Sequence, residues 1–194
     1  MSAKPKVALS QDLLSNLANF SSAVQGKILK WAIKFQSDPT SPGINYENIQ
    51  AARDSSLKSI RIDQDWRGIV FKPTTGDVYV LLYVDHHDEA YRWAEKRKIA
   101  INPVTGAMQI VFTEEVFEQT TVPKNDLAQS PEYLFAALKD KDLLALGVPE
   151  SNLVRVKEIQ SEEELDALQT ILPVEAYEGL FLLAAGDSID QILA

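Results

Sequence analysis

Apolar residues in the first forty positions recur at helical spacing. One stripe comprises Leu13, Leu14, Leu17 and Phe20, and a second comprises Val24, Ile28, Trp31 and Phe35. Ser10, followed by Asp12, is typical of a helix start, and Asp38-Pro39 ends the second stripe because the residue before a proline disfavours the α region. The pattern therefore predicts a short strand over Lys6–Ser10 and then two helices.

Alternating and apolar runs further along the chain predict strands. Leu57–Asp63 alternates, Trp66–Lys72 follows after a short connection, and Val78–Val84 is apolar on both faces, as a central strand would be. Connections this short favour antiparallel pairing. A further hairpin is predicted from Ile99–Ile101 and Met108–Phe112. We therefore expect an α+β unit in which two helices pack on an antiparallel meander sheet.

The remainder of the chain is predicted to be mostly helical. Ser161, with Glu164 three residues later, is typical of a capped helix start, and Leu165, Leu168 and Leu172 form the apolar stripe behind it. Leu180–Ala185 is apolar enough to require a partner surface, either the first part of the chain or a motor domain or other protein outside this sequence.

Charge divides the chain in the same way. Residues 1–112 carry 14 Lys and Arg against 11 Asp and Glu, whereas residues 113–194 carry 5 against 17, and the whole chain has a net charge of −9. The composition shift, with Pro123–Asp126 behind it, predicts a domain boundary. We predict domain 1–112, which could approach phosphate, and an acidic domain 113–194, which would repel it.

Composition also excludes several function classes. The chain has no Cys and two His, so we expect no metal site and no thiolate chemistry. The start lacks the apolar stretch of a secretory signal, and no apolar run approaches the roughly 20 residues that cross a bilayer. We expect a cytoplasmic protein without a membrane partner.

Basic side chains are the candidates for contact with phosphate. Lys27, Lys30 and Lys34 share one face of the second predicted helix, and this pattern fits either a solvated face or a phosphate-binding stripe. The other candidates lie on the predicted strands and the helix after them: Lys58, Arg61, Arg67, Lys72 and Arg92.

The central strands and the segment after them resemble the RelE/ParE toxin family. The resemblance rests on Ile60-Arg61-Ile62, on Trp66–Phe71 and on Val84–Tyr91, within about residues 6–98. It implies a toxin-like fold and, in an RNA-cleaving member, a site formed by five residues: Arg61, Arg67, His86, His87 and Tyr91.

Three carboxylates change what the resemblance implies for catalysis. Asp85, Asp88 and Glu89 flank the two histidines, and their charge would repel a scissile phosphate. Acidic residues at a helix start also suit the helix dipole, so the histidines could simply occupy a helix start. We therefore expect the fold, and no catalytic activity from this chain alone.

A narrower resemblance covers most of the chain. The segments Val84–Ala94, Ile99–Gly106 and Leu172–Asp187 are similar to the RelE-like region that precedes the motor in some UvrD/Rep-type superfamily 1 DNA helicases. The resemblance implies a part in DNA repair. No P-loop is present, since Gly26-Lys27 is followed by Ile28, so ATP and Mg would bind only in a motor outside this sequence.

Three hypotheses follow. The first is a non-catalytic accessory domain of such a helicase, which contacts DNA, RNA or a regulatory partner. The second is a protein-interaction module in which the acidic segment covers the basic surface as an inhibitor. The third is an RNA-cleaving toxin in which His86 or His87 acts as acid or base, Tyr91 orients the substrate, and Arg61 or Arg67 stabilises the phosphate charge.

Overall fold

The structure is a computed structural model, and it describes residues 5–113 and 133–194. The chain divides into two compact units, Met1–Arg97 and Lys98–Ala194. The segment Pro123–Asp126, which the sequence analysis placed behind the domain boundary, lies outside the described residues.

A mixed five-stranded sheet forms the centre of the first unit. Its strands are β1 (Lys6–Leu9), β2 (Tyr46–Asn48), β3 (Leu57–Arg61), β4 (Trp66–Phe71) and β5 (Val78–His86), in the spatial order β1-β5-β4-β3-β2. The meander β3–β4–β5 is antiparallel, as predicted. The edge strand β1 pairs parallel to β5, which the prediction of a purely antiparallel sheet missed. Parallel pairing needs a long connection, and here the two helices after β1 together with β2, β3 and β4 lie between β1 and β5 in the chain.

Those helices, α1 (Gln11–Ala18) and α2 (Ser22–Ser37), bury one face each against the sheet. Ser10 caps α1, because its hydroxyl accepts from Leu13 N at 3.0 Å and donates to Leu82 O at 2.6 Å. The core between helices and sheet comprises Leu13, Ile28, Phe35, Ile60, Trp66, Val70, Leu81 and Val84. The predicted α+β class is therefore confirmed, with two helices and a meander sheet present.

A bulge in β5 exchanges the faces of its side chains. Ile69 pairs with Tyr83, but the next residue, Val70, pairs with Leu81, so Leu82 is an extra residue. Before the bulge Leu81 joins the core under α1 and α2, and after it Val84 does so. Neighbouring residues on both faces of β5 are buried, Leu81 and Leu82 among them, which explains the continuous apolar run in the sequence.

Helix α3 (His87–Glu95) begins directly after β5 and covers the opposite face of the sheet. The Trp93 ring stacks on Tyr83, with centroids 4.9 Å apart and planes 4° from parallel. Tyr83 precedes Val84 by one residue, so it points away from the core under α1 and α2. Burial and the neighbouring Asp85 raise the pKa of Tyr83 to about 12.

The second unit packs a hairpin and short helices around its own core. The elements are β6 (Arg97–Ile101), β7 (Met108–Phe112), α4 (Asp140–Ala145), a 3₁₀ turn (Glu150–Asn152), α5 (Leu153–Lys157), α6 (Glu162–Asp166), α7 (Val174–Ala184) and α8 (Ile189–Ile192). Ser161 caps α6 as predicted, because its hydroxyl accepts from Glu164 N. Leu143, Val148, Leu165 and Leu180 are among the fully buried residues.

The β6–β7 hairpin belongs to this second unit, whereas the sequence analysis assigned it to domain 1–112. Two amide side chains tie it there: Asn102 donates to Leu144 O at 2.8 Å, and Gln109 donates to Gly147 O at 2.6 Å. The compact units therefore divide after Arg97 rather than after residue 112. No helix in the described ranges combines the length and apolar character that crossing a membrane requires.

Candidate functional site

A groove of about 660 Å³ lies in the first unit between α2 and the β2–β3 edge of the sheet. Lys27, Lys30 and Lys34 line it from the helix, because residues three and four apart share one helix face. Arg61 lines it from the end of β3. The structure therefore brings four of the predicted phosphate-binding residues to one concavity.

The groove has an excess of positive charge. Its four basic residues are accompanied by two acidic ones, Glu47 and Asp63. Lys27 pairs with Asp63, since its Nζ lies 2.6 Å from Oδ2, and this hydrogen bond is the main cause that lowers the pKa of Asp63 to about 2. Lys30, Lys34 and Arg61 form no ion pair with any described side chain. Three cations therefore remain available to a ligand.

One wall of the groove is apolar. The half-buried Trp31 ring lies over Gly68 of β4, where an added Cβ would come within 2.7 Å of Trp31 Cζ2. Phe35, Ile44, Ile60 and Ile62 line the same groove. The sequence analysis placed Trp31 only in the apolar stripe of the second helix. Its position directly after Lys30 could have indicated that it lies beside the lysine face.

The turn between β3 and β4 holds the end of the groove in place. Asp63 Oδ1 accepts from the backbone N–H groups of Asp65 and Trp66, each at 2.9 Å. Arg67 is 5% exposed, and its guanidinium donates to the carbonyls of Asp63 and Trp66 at 3.0 Å. Arg67 thus braces the turn, which leaves Arg61 as the arginine available in the groove. As a phosphate contact, Arg67 stays a prediction.

The other predicted cations lie outside the groove. Lys58 Nζ donates to Asn48 Oδ1 at 2.7 Å, and Lys72 Nζ lies 4.4 Å from the centroid of the Tyr46 ring. Arg92 pairs with Glu89 on α3. Each has a local partner, and their proposed contacts with nucleic acid stay predictions.

The two histidines lie where β5 meets α3. The His86 ring packs on Trp66 at 4.3 Å between centroids, and the His87 ring packs on Tyr91 at 4.2 Å. His87 Nδ1 lies 2.8 Å from Asp88 Oδ1, and this hydrogen bond is the main cause that lowers the pKa of Asp88. We call His86, His87, Asp88 and Tyr91 the histidine cluster.

The histidine cluster adjoins the β3–β4 turn. His87 N donates to Asp65 O at 3.0 Å, two residues from the Asp63 that lines the groove. The groove and the histidine cluster therefore share one turn. Within residues 5–113 and 133–194, no group of three or more His, Asp or Glu side chains is placed to hold a metal ion.

Comparison with solved structures finds similar chains in toxin–antitoxin complexes. A chain of the RelBE2 complex of Mycobacterium tuberculosis is 14% identical to this chain with a TM-score of 0.36, and the match covers 44% of this chain and 100% of that chain. A chain of the RelE–RelB complex of Pyrococcus horikoshii OT3 is 15% identical with a TM-score of 0.34, and the match covers 43% of this chain and 96% of that chain. A chain of the RelB–RelE complex of Methanococcus jannaschii is 13% identical with a TM-score of 0.35, and the match covers 44% of this chain and 96% of that chain.

Neither a protein-family model nor a curated protein matches the chain. The three solved structures are described as toxin–antitoxin complexes, and none is described as a helicase. The predicted place ahead of a UvrD/Rep-type motor therefore stays a prediction. Over less than half of its length, the chain is similar to RelE-type toxins.

Proposed function

We propose that the chain binds nucleic acid in the groove between α2 and β3. The observation that carries this proposal is the convergence of Lys30, Lys34 and Arg61, none of them paired with a described side chain, on one concavity. Phosphodiesters are the ligands that such cations neutralise, with release of counterions. The apolar wall around Trp31 gives the groove a surface for a base or sugar beside the backbone contacts.

Fluorescence anisotropy with a labelled single-stranded RNA, a single-stranded DNA and a duplex tests the proposal. We expect binding to weaken as salt rises. The triple variant K30A/K34A/R61A should bind at least about tenfold more weakly at low salt, and it should flatten the salt dependence by about two in slope, at roughly 0.7 per phosphate contact.

The matched control removes the same charge elsewhere. K96A/K139A/K141A changes three exposed lysines that do not line the groove. This control should retain most of the affinity. Equal losses in both triple variants would show a general charge effect, and absence of binding at low salt by the unaltered chain would refute the proposal.

A second candidate function, cleavage of the bound RNA, is favoured by the pairing of His87 with Asp88. An exposed histidine whose Nδ1 faces a carboxylate has the arrangement of a general acid or base with an orienting partner. Tyr91 packs on the same ring and could orient a substrate. Asp88 opposes phosphate binding, which is why binding ranks before cleavage.

Growth after induced expression tests cleavage. Arrest by the unaltered chain, relieved by H86A/H87A and by K30A/K34A/R61A, would support cleavage that depends on the groove. Normal growth, together with intact RNA after incubation with purified protein, would leave binding as the function. H87Q keeps a polar side chain that cannot act as acid or base, and it should abolish cleavage while leaving RNA affinity within about twofold.

A further inference from the structure

The outer face of α7 in the second unit is an exposed apolar surface with a carboxylate among its apolar side chains. Val174, Phe181 and Leu182 are 48%, 50% and 41% exposed. At 100° per residue, these three positions and Glu178 fall on one side of the helix, with Glu178 between Val174 and Phe181 along the axis. We call these four residues the α7 face.

The opposite side of α7 is fixed in the core, so the α7 face has a defined orientation within its unit. Ala176 and Leu180 are fully buried. A Cβ added at Gly179 would lie 2.9 Å from Leu146 Cδ2, so α7 packs closely on the residue that follows α4. Gly147 follows Leu146 with φ +94°, and a Cβ added there would lie 3.6 Å from Ala176 N. The apolar side chains of the α7 face therefore cannot turn inward without unpacking the helix.

The charge of the chain segment that contains the α7 face restricts its partner. Residues 158–194 contain nine Asp and Glu and no Lys or Arg. The basic residues just before them are already paired, Arg155 with Glu158 and Lys157 with Asp140. A nucleic acid or an anionic membrane would be repelled, and a second copy would bring the same negative charge to the contact. A positively charged partner with apolar side chains would complement the acidic charge and also cover the exposed apolar side chains of the α7 face.

We propose that the α7 face docks an amphipathic helix of a partner protein, with Lys or Arg beside its apolar side chains. Apolar residues of the partner would cover Val174, Phe181 and Leu182, and a basic residue would pair with Glu178. Phe181, as the largest exposed apolar side chain on this face, is its principal anchor. This surface lies in the second unit, so it is a function separate from nucleic-acid binding.

The test uses a synthetic leucine–lysine peptide of about 18 residues, roughly five turns of helix, with leucines on one face. Two control peptides accompany it. One has glutamate in place of lysine, and the other keeps the leucine–lysine composition in scrambled order. Isothermal titration with the full chain should show binding of the amphipathic lysine peptide, weaker binding of the scrambled one and none of the glutamate peptide.

Variants then locate the binding. F181A/L182A should weaken the lysine peptide at least about tenfold, whereas V154A, which truncates a lone apolar side chain 73% exposed on α5, should leave affinity unchanged. E178K should also weaken the lysine peptide, and a peptide with one glutamate among its lysines should regain affinity for E178K. Circular dichroism verifies that each variant keeps the unaltered helix content, which its exposed site allows.

Three outcomes would overturn the proposal. They are no binding of the lysine peptide, equally tight binding of the scrambled peptide, which would reduce the effect to charge, and a loss of binding in V154A as large as in F181A/L182A. Sedimentation of the free chain provides the last discrimination, because a dimer abolished by F181A would assign the α7 face to a second copy. None of these results bears on the groove, since groove variants and α7 variants are assayed separately.

Discussion

At Gly68 the absence of a Cβ atom lets the Trp31 ring lie directly on β4. A Cβ at this position would lie 2.7 Å from Trp31 Cζ2, closer than non-bonded carbon atoms approach. The contact fixes the apolar wall of the groove. Gly68 is therefore required for close packing, and not for an unusual backbone conformation.

Gly68→Ala should destabilise the first unit. Overpacking in a well-filled core costs about 1–3 kcal/mol, because Trp31 must move from its place on the strand. Gly26→Ala is the matched control, since nothing lies within 4 Å of a Cβ added in the middle of α2, and it should stabilise the helix by up to about 1 kcal/mol. Urea unfolding of both variants measures the difference. Equal free energies of unfolding would contradict the packing argument.

The Asp63 carboxylate pairs with Lys27 in the groove and also accepts hydrogen bonds from the backbone of the β3–β4 turn. The ordinary pKa of this carboxyl is 3.8, and the hydrogen bond from Lys27 lowers it to about 2. Because the folded pKa lies below the unfolded one, the ionised carboxylate stabilises the fold above about pH 4, and this contribution disappears as pH falls toward 2.

Asp63→Asn should therefore lower the urea midpoint at neutral pH and have a progressively smaller effect as pH falls from about 4 to 2. Asparagine can still accept the hydrogen bonds of the turn, so the difference reports the charge. The same variant releases Lys27, and RNA affinity at neutral pH should rise a few-fold. A destabilisation that stays constant down to pH 2 would show that the carboxylate charge contributes nothing.

At the scale of elements, the β3–β4 hairpin shows why two arginines of similar sequence context differ in role. Arg61 and Arg67 pair across the hairpin, and both follow an apolar or aromatic residue on their strands. The difference is the neighbouring turn, whose carbonyls bind the Arg67 guanidinium, whereas Arg61 is exposed at a strand end. Burial depends on tertiary packing, and the strand pattern does not contain that information.

Arg67→Ala should consequently affect mainly stability, whereas Arg61→Ala should affect mainly RNA binding. Arg67→Ala leaves the turn carbonyls without their donor and should lower the free energy of unfolding by about 1–3 kcal/mol. Arg61→Ala should change stability by less than about 0.5 kcal/mol, yet weaken RNA binding. Thermal unfolding and anisotropy on both variants measure the two quantities. The assignment would be wrong if Arg67→Ala kept full stability and lost only affinity.

At the scale of the whole molecule, the two hydrophobic clusters have no residue in common. One lies under α1 and α2, and the other joins the helices of the second unit. Charge is divided in the same way, because residues 1–97 carry 13 Lys and Arg against 11 Asp and Glu, whereas residues 98–194 carry 6 against 17. Each unit thus has its own core and its own electrostatic character.

Residues 1–97 and 98–194 should therefore each fold when produced alone, with a cooperative thermal transition of their own. Residues 1–97 should bind RNA a few-fold more tightly than the full chain at low salt, because the repulsion from the acidic unit is removed. The difference should shrink at about 0.15 M salt, where the screening length is about 8 Å. If affinity fell on removal of residues 98–194, the second unit would contribute to binding directly.

The pattern of hydrophobic residues predicted the helices and the meander. Each of these helices and strands buries one face, so its apolar residues recur at a spacing that is visible over a few neighbouring positions. The strand β1 was predicted, but its parallel pairing with β5 was not, since that pairing joins residues distant in sequence, and the three-residue strand β2 was missed. The lysine stripe on α2 was visible as a helix face. Its convergence with Arg61, and the pairing of Lys27 with Asp63, required the fold to bring α2 beside β3.

The extra residue in β5 makes the length of that strand as important as its composition. Leu82 shifts the alternation by one, so that His86 pairs with Trp66 while Tyr83 lies under Trp93. A chain lacking this single residue would retain nearly the same composition but would present everything after position 82 to the wrong layer of the fold. Insertions and deletions here should thus be far less tolerated than substitutions, in contrast to the turn before the strand, where chain length can vary without changing the phase of any pleat.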